Sequence, residues 1–361
     1  MTKHVVVVGA GIVGLSTALA LLDKGFKVTI LAQWQPGDFH IEYTSPWAGN
    51  EKREAAIKSI GAHWRTMAPN SDKLLQDFDA ATYRKFMQLS RTHPKETGIM
   101  VIPSTDYYDE LIPETTDPWF RHLVSDFQFV PKEALPPGAK IGHRYTTVVV
   151  NAPHYIRWLQ HQFISNGGRI MKRALAHISE AFDLGDGLPS VDAVVNCTGL
   201  GARYLGGVDD DQVYPTRGQT VVAYAPSIKE TITHLGKDFI TYVIPRSDGT
   251  VVLGGTANKN DFNPNPEKAT IASILERTQV ICPALKDLAP LKIVRNAVGL
   301  RPSRINGARI ENQYYTKPNG RRILVTHAYG HGGFGYQSSV GAAEYTARLV
   351  ERGLVLGSPK L

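Results

Sequence analysis

Three stretches of this chain carry groups that could act on a small anionic molecule. Arg301 stands in Gly299-Leu300-Arg301-Pro302, directly after an apolar run. A guanidinium there could hold a carboxylate through two parallel charge-assisted bonds; the plainer alternative is a surface arginine. Tyr242 lies in Ile240-Thr241-Tyr242-Val243-Ile244-Pro245, where strand alternation could turn its hydroxyl toward a ligand or leave it as a sheet-face tyrosine. The third stretch, residues 327–339, reads HAYGHGGFGYQSS. Gly330, Gly332, Gly333 and Gly335 permit close backbone approach, and a helix following them would aim its positive end at an electron-rich ring. His327 and His331 have no carboxylate or cysteine cluster beside them, so no metal is expected. No Ser-His-Asp or Cys-His arrangement and no paired carboxylates stand out. A carboxylate clamp without an evident acid–base pair suggests hydride transfer, with a cofactor carrying the chemistry.

The elements that would position such a cofactor open the chain. Val5–Val8 is a β-branched run suited to a strand buried on both faces, and Gly9, Gly11 and Gly14 fill the glycine positions of G-x-G-x-x-G. The first permits the tight turn, the second lets backbone approach a pyrophosphate, and the third allows close helix–strand packing. The following LSTALALLDKG is a good helix whose N-terminus would face the phosphates, and Lys27–Leu31 reads as the next strand. This order of strand, glycine turn, helix and strand points to a dinucleotide site. Which dinucleotide stays open, because Leu31-Ala32-Gln33-Trp34 offers no acid for a ribose; Gln33 or backbone would have to serve. A second glycine-rich turn, Cys197-Thr198-Gly199-Leu200-Gly201, follows the strand-like Val191–Asn196 and could bracket the same cofactor.

Composition sets the remaining bounds. The 361 residues exceed one mononucleotide-binding unit, so a second domain is expected. An apolar fraction of 42% with 20% charge is ordinary for a soluble enzyme, and no window reads as a membrane span or a cleavable signal peptide. The net charge of +7 comes from lysines and arginines spread along the chain, which argues against nucleic acid as a partner. Two cysteines, Cys197 and Cys282, sit in apolar surroundings and suggest a reduced compartment rather than a disulfide framework.

The pattern along the chain predicts an α/β fold. Helices are expected at Glu51–Ile60, Asp79–Leu89, His154–Asn166, Ala269–Val280 and Val340–Arg352, and strands at Gly98–Ile102, Tyr145–Val150 and Arg322–Thr326. From Thr216 to Thr256 the runs TVVAYA, ITYVIPR and TVVLGGT suit an antiparallel sheet. The expected architecture is a discontinuous Rossmann-like dinucleotide domain (residues 1–50, 140–215 and 290–361) with a mostly antiparallel substrate domain (62–139 and 216–289).

Taken together the motifs resemble one family. GAGIVG at 9–14, SPWAG at 45–49, NCTGLGA at 196–202, RGQT at 217–220, YVIPR at 242–246, VGLRP at 298–302 and HAYGHGGFGYQSS at 327–339 are similar, in order over essentially the whole chain, to the FAD-dependent D-amino acid oxidases of the fungal type. The resemblance implies FAD as cofactor, the glutathione-reductase type of cofactor domain, and a small D-amino acid and dioxygen as partners; a homodimer would be common. It implies that Arg301 and Tyr242 bind the substrate carboxylate, that the Gly333 carbonyl accepts from the substrate amine, and that Gln337 lies near that amine. FAD contacts would come from Gly9, Ala10, Gly11, Ile12, Val13 and Gly14, from Thr44, Ser45 and Gly49, and from Ala62 and His63. Leu175, Thr198 and Gly199 would serve the adenosine side, and Gly332, Gly333, Gly335, Tyr336 and Gln337, with Arg301 adjoining, would approach the flavin. The implied reaction passes the α-hydrogen as hydride to the flavin, with dioxygen reoxidising it to give hydrogen peroxide. The terminal Pro359-Lys360-Leu361 is similar to a peroxisomal address, with proline out of pattern.

The chain departs from the family pattern in three places. Asn50–Gly61 is a helix-forming insertion between Gly49 and Ala62, expected to project outward. Ala257 stands where an aromatic or, in D-aspartate oxidases, an arginine is common, which favours larger neutral substrates, although Lys237 and Lys259 are near in sequence. The active-site lid is expected to shorten to about His234–Ile240. The alternatives are a D-aspartate oxidase, a glycine or sarcosine type, an inactive FAD-binding protein and a nicotinamide-dependent dehydrogenase.

Overall fold

The computed structural model describes residues 2–36, 38, 61–185, 187–317 and 319–356. Thr44, Ser45, Gly49, the expected helix Glu51–Ile60 and the terminal Pro359-Lys360-Leu361 lie outside these described residues. The strands are β1 (His4–Val8), β2 (Lys27–Ala32), β3 (Gly61–His63), β4 (Ile99–Tyr108), β5 (Ser125–Phe129), β6 (Ile141–Asn151), β7 (Arg169–Lys172) and β8 (Ala193–Asn196). They continue as β9 (Val213–Tyr224), β10 (Thr231–Leu235), β11 (Ile240–Pro245), β12 (Thr250–Gly254), β13 (Asn258–Lys259), β14 (Lys292–Arg304), β15 (Arg309–Thr316) and β16 (Arg322–Tyr329). The helices are α1 (Ile12–Asp23), α2 (Lys73–Thr92), α3 (Pro94–Thr97), α4 (Pro113–Thr116), α5 (Ala152–Ser165), α6 (Lys268–Ile281) and α7 (Ser339–Leu356).

The six-stranded sheet runs β15-β16-β8-β1-β2-β7. It is parallel except at its β15 edge. Val5, Val6 and Val7 have no exposure at all, as the continuous apolar run required of a strand covered on both faces. Burying each such side chain contributes about 1.5–3 kcal/mol. The ten-stranded sheet runs β13-β9-β12-β11-β10-β4-β6-β3, with β14 added on β9 and β5 on β6; β10 and β4 are its parallel pair. Helix α6 covers one face of this sheet through Ile274 and Ile281 against Val221, Val243 and Leu253. The opposite face carries Val222, Tyr242, Ile244 and Val252.

The doubly organised α/β fold agrees with the sequence expectation, but the boundaries move. Residues 141–151 and 292–304, assigned by sequence to the dinucleotide domain, are β6 and β14 of the large sheet. Their pairing explains it: β6 lies in register with β4 over ten pairs, Ile99↔Val150 to Tyr108↔Ile141. The short strand expected at Gly98–Ile102 runs on through Pro103 because β10 begins to pair only at Ser104, so the missing proline N–H leaves no ladder bond unmade on that side. The segment expected as a shortened lid forms a hairpin: residues 236–239 join β10 to β11, and His234 Nε2 lies 2.7 Å from Asp109 Oδ1.

Candidate active site

The turn between β1 and α1 is built around its glycines. Gly9 has φ of +108°, and a Cβ there would stand 2.6 Å from the Cys197 carbonyl oxygen. A Cβ on Gly14 would collide with the Gly9 carbonyl, whereas one on Gly11 would meet nothing within 4 Å. Gly11 is the N-cap of α1, makes no side-chain cap bond, and no acidic residue occupies the first turn. Open space, uncapped amides and a positive dipole end, with Ala10, Ile12 and Val13 flanking, fit the pyrophosphate of a dinucleotide. The second glycine turn lies alongside, because β8 pairs with β1 and the Cys197 amide donates to the Val8 carbonyl at 2.9 Å. Thr198 bonds through its amide and its hydroxyl to Asn196 Oδ1, and Gly199 takes φ of +58° near Pro302. Leu175 packs in the neighbouring cluster with Leu31 and Val194. At the end of β2, Gln33 is exposed and Trp34 has the Lys172 ammonium over its ring.

Arg301 and Tyr242 share one face of the large sheet, although they lie on separate strands. Residues directly opposite in a ladder point the same way, and the row Thr233–Tyr242–Gly254–Thr220–Ala297 crosses β10, β11, β12, β9 and β14. Arg301 is opposite Thr216, on the same face of β9 as Gly218 and Thr220. Each long side chain lies over a glycine: a Cβ on Gly218 would fall 2.5 Å from Arg301 Cζ, and one on Gly255 would fall 2.6 Å from the Tyr242 hydroxyl. The Gly254 position would likewise collide with the Tyr242 ring. Arg301 Nη1 donates to the Thr256 carbonyl at 3.0 Å, which fixes the guanidinium at the sheet end. Thr220, on the same row, keeps a buried hydroxyl with no protein partner. His63 faces this side from β3, its Nε2 3.5 Å from Ser104 Oγ, and burial first, then Arg65, hold it well below its ordinary pKa. Ala62 instead joins the main hydrophobic cluster.

Residues 331–338 connect the two regions. A Cβ on Gly333 would touch Arg301 Cδ at 3.3 Å, one on Gly332 would lie 3.4 Å from Ser303 Oγ, and one on Gly335 would meet Ile12 at 3.6 Å. Tyr336 packs against the cluster that includes Ile12 and Val13, and burial raises its pKa. The loop therefore spans from the arginine to the glycine turn. Burial keeps His331 neutral, with a pKa lowered to about 4. His327 is lowered to about 3, by burial and then Arg309, and bonds Asn196 and Gln313. The amides of Val340 and Gly341 in the first turn of α7 are taken by Thr82 Oγ1 at 3.1 and 3.3 Å, so this helix end would act on a flavin through its dipole and not through these two amides.

Some site features were not read from the sequence. Gln337 donates through Nε2 to Asp79 Oδ2 at 3.0 Å, and Asp79 also accepts from Thr66 Oγ1 at 2.6 Å. A cation also stands nearer to Tyr242 than Lys237 or Lys259 suggested: Arg277 donates to the Ile240 and Gly255 carbonyls and to Thr241 Oγ1. Gly218 and Gly254 were visible inside motifs, yet their task depends on strand register and had no local signal.

The family described as FAD dependent oxidoreductase (DAO) matches residues 4–349. The D-amino-acid oxidase of Schizosaccharomyces pombe is 35% identical over 347 residues, covering 94% of each chain. The D-aspartate oxidase of Talaromyces thermophilus is 32% identical, covering 97% of this chain and 95% of its own. Among solved structures, glycine oxidase from Bacillus cereus superposes with a TM-score of 0.70 at 20% identity over 97% of this chain and 95% of its own, a likeness of fold. With the dinucleotide turn and the arginine face in place, the chain belongs to the DAO family of FAD-dependent oxidoreductases.

Proposed function

We propose that the protein oxidatively deaminates D-amino acids, giving a 2-oxo acid, ammonia and hydrogen peroxide. The observation that carries this reading is Arg301, half-buried over Gly218 and beside Gly333 on the face shared with Tyr242. FAD, when bound, would supply the acceptor for the α-hydrogen and the route for electrons to dioxygen. Gly9–Gly14 would hold its pyrophosphate, with residues 332–337 close by. Arg301 would take the substrate carboxylate in a two-pronged bond, and the Tyr242 hydroxyl would donate to the same group. Fixing the carboxylate at this sheet end leaves the α-carbon toward the loop at Gly333, and positioning of this kind contributes several kcal/mol to a barrier without any base.

Neutral side chains suit the site best, because Ala257 is exposed and small beside Thr256. An acidic-substrate reading is supported by one observation, Arg277 beneath the Tyr242 strand. Its guanidinium is already engaged by Ile240, Thr241 and Gly255, which favours a role in holding the strand ends. Anaerobic mixing with D-alanine, D-phenylalanine and D-aspartate, with L-enantiomers as controls, tests both readings. Bleaching of the flavin band by neutral D-forms supports the proposal; bleaching chiefly by D-aspartate favours the second reading, and none by any D-form refutes both.

A further inference from the structure

Asp79 is a carboxylate without an evident reason to be buried. It sits on α2 and is 3% exposed, and its Oδ2 accepts from Thr66 on one side and from Gln337 on the other. Its own carbonyl accepts from the Trp64 indole at 2.9 Å, so the helix is pinned at this residue. Two residues before Gln337, Gly335 lies against Ile12, and Gly333 lies against Arg301. Gln337 thus ends the stretch that touches both the dinucleotide turn and the arginine, and Asp79 holds it from behind. We propose that Asp79 is a positioning residue whose proton state sets, through Gln337, the placement of residues 332–337 at the flavin and substrate. The inference rests on the reading given under the proposed function.

The charges around Asp79 are few. Asp72, at the start of the same helix, opposes its ionisation. Arg65, on the segment that carries Thr66, is turned to Asp106 and Tyr108. On the facing helix α7, Tyr345 packs against Phe78, while Glu344 and Arg348 are exposed. His63 and His331 are held neutral by burial. Among the described residues no cation compensates the carboxylate. Burial accordingly raises its pKa to about 7, against the lowering effect of the Thr66 and Gln337 bonds. Both bonds favour the ionised form, so proton uptake weakens the hold on Gln337. Between pH 6 and 8 the ionised fraction would climb from about a tenth to about nine-tenths.

The test is a pH titration of the resting holoenzyme, followed by flavin visible absorbance and circular dichroism, with anaerobic flavin reduction by D-alanine as a second readout. Wild type should show a one-proton spectral change with a midpoint near 7. Asp79→Asn keeps an acceptor for Gln337 but cannot titrate, so its profile should be flat; Gln337→Ala should flatten it too. Thr66→Val removes a bond to the carboxylate and should move the midpoint upward, a shift that loss of packing alone would not produce. A wild-type spectrum independent of pH, or an Asp79→Asn profile matching wild type, overturns the inference while leaving the oxidase reading intact. Protein that takes up no FAD at any pH overturns both.

Discussion

Replacing Gly218 by alanine should disable the carboxylate clamp without touching it. The added Cβ would fall 2.5 Å from Arg301 Cζ, where a relaxed contact needs about 3.5 Å, so the guanidinium must retreat by about 1 Å. It can do so cheaply, because the obstacle is the far end of a flexible side chain rather than backbone. A misplacement of about 1 Å is enough to cost on the order of a hundredfold in rate, or about 3 kcal/mol of transition-state binding. The assay is steady-state kinetics with D-alanine together with FAD content. kcat/KM should fall about a hundredfold, mostly through KM, while FAD content stays normal because Gly218 lies away from the Gly9–Gly14 turn. In an Arg301→Ala background the same glycine substitution should cost almost nothing further, as expected when two changes act through one contact. Wild-type kinetics in Gly218→Ala, or a full additional loss in the double variant, would refute the reasoning.

Three further outcomes follow from the same geometry. Tyr242→Phe removes one donor to the carboxylate and should raise KM for D-alanine about tenfold, while Gly254→Ala, which displaces the whole ring, should cost more; equal effects would argue that the hydroxyl is idle. Gly14→Ala meets backbone and should lower Tm and FAD content together, whereas Gly11→Ala meets open space and should weaken FAD binding with the fold intact; identical behaviour of the two would contradict the assigned roles. Asp79 bears on stability as well. Its folded-state pKa of about 7 stands above the ordinary 3.8, so the native state binds the proton more tightly and stability falls as pH rises from about 4 through about 7. The rise corresponds to about 4 kcal/mol in favour of Asp79→Asn at pH 8 relative to pH 4. Thermal melts at both pH values check this, and parallel shifts of wild type and variant would be the contrary result.

Where the sequence was readable, the physics was local. Val5–Val8 and the glycines at 9, 11 and 14 announce themselves because strand, turn and helix follow each other without a gap. The turn after β8 was legible for the same reason, through Val194 and Val195 followed by Gly199. The β15 strand, Arg309–Thr316, was missed because an edge strand has only one partner and shows no clean alternation of buried side chains. β10 was missed for the opposite reason, since Thr231, Thr233 and His234 are buried polar residues within a strand. The bond from Gln337 to Asp79 spans 258 residues of chain, and nothing near either residue predicts the other. The glycine beneath Arg301 is hidden in the same way: Gly218 and Arg301 meet only once β9 and β14 are set in register.

The division of labour between the sheets explains why the loop at 331–338 carries so much weight. The parallel sheet presents a helix N-terminus for an anion at Gly11, and the antiparallel sheet presents a guanidinium and a phenol over bare glycines. Neither sheet alone brings a bound cofactor and a substrate together. Gly333 against Arg301 and Gly335 against Ile12 close that gap within three residues, with backbone small enough for both approaches. A Cβ at Gly333 would crowd Arg301 at 3.3 Å, whereas one at Gly335 would make an ordinary contact with Ile12 at 3.6 Å, so the close approach at Gly333, more than any acid or base on the loop, bears on the distance over which the hydride would move. A loop this short is held by what lies behind it, and behind it the structure places Thr82 on the amides of α7 and Asp79 on Gln337. Both come from α2, whose Phe78 backbone approaches Gly341 too closely to admit any side chain there. Changes on this helix, remote from the arginine in sequence, should therefore alter substrate and FAD binding together, whereas changes at Gly218 should alter substrate binding alone.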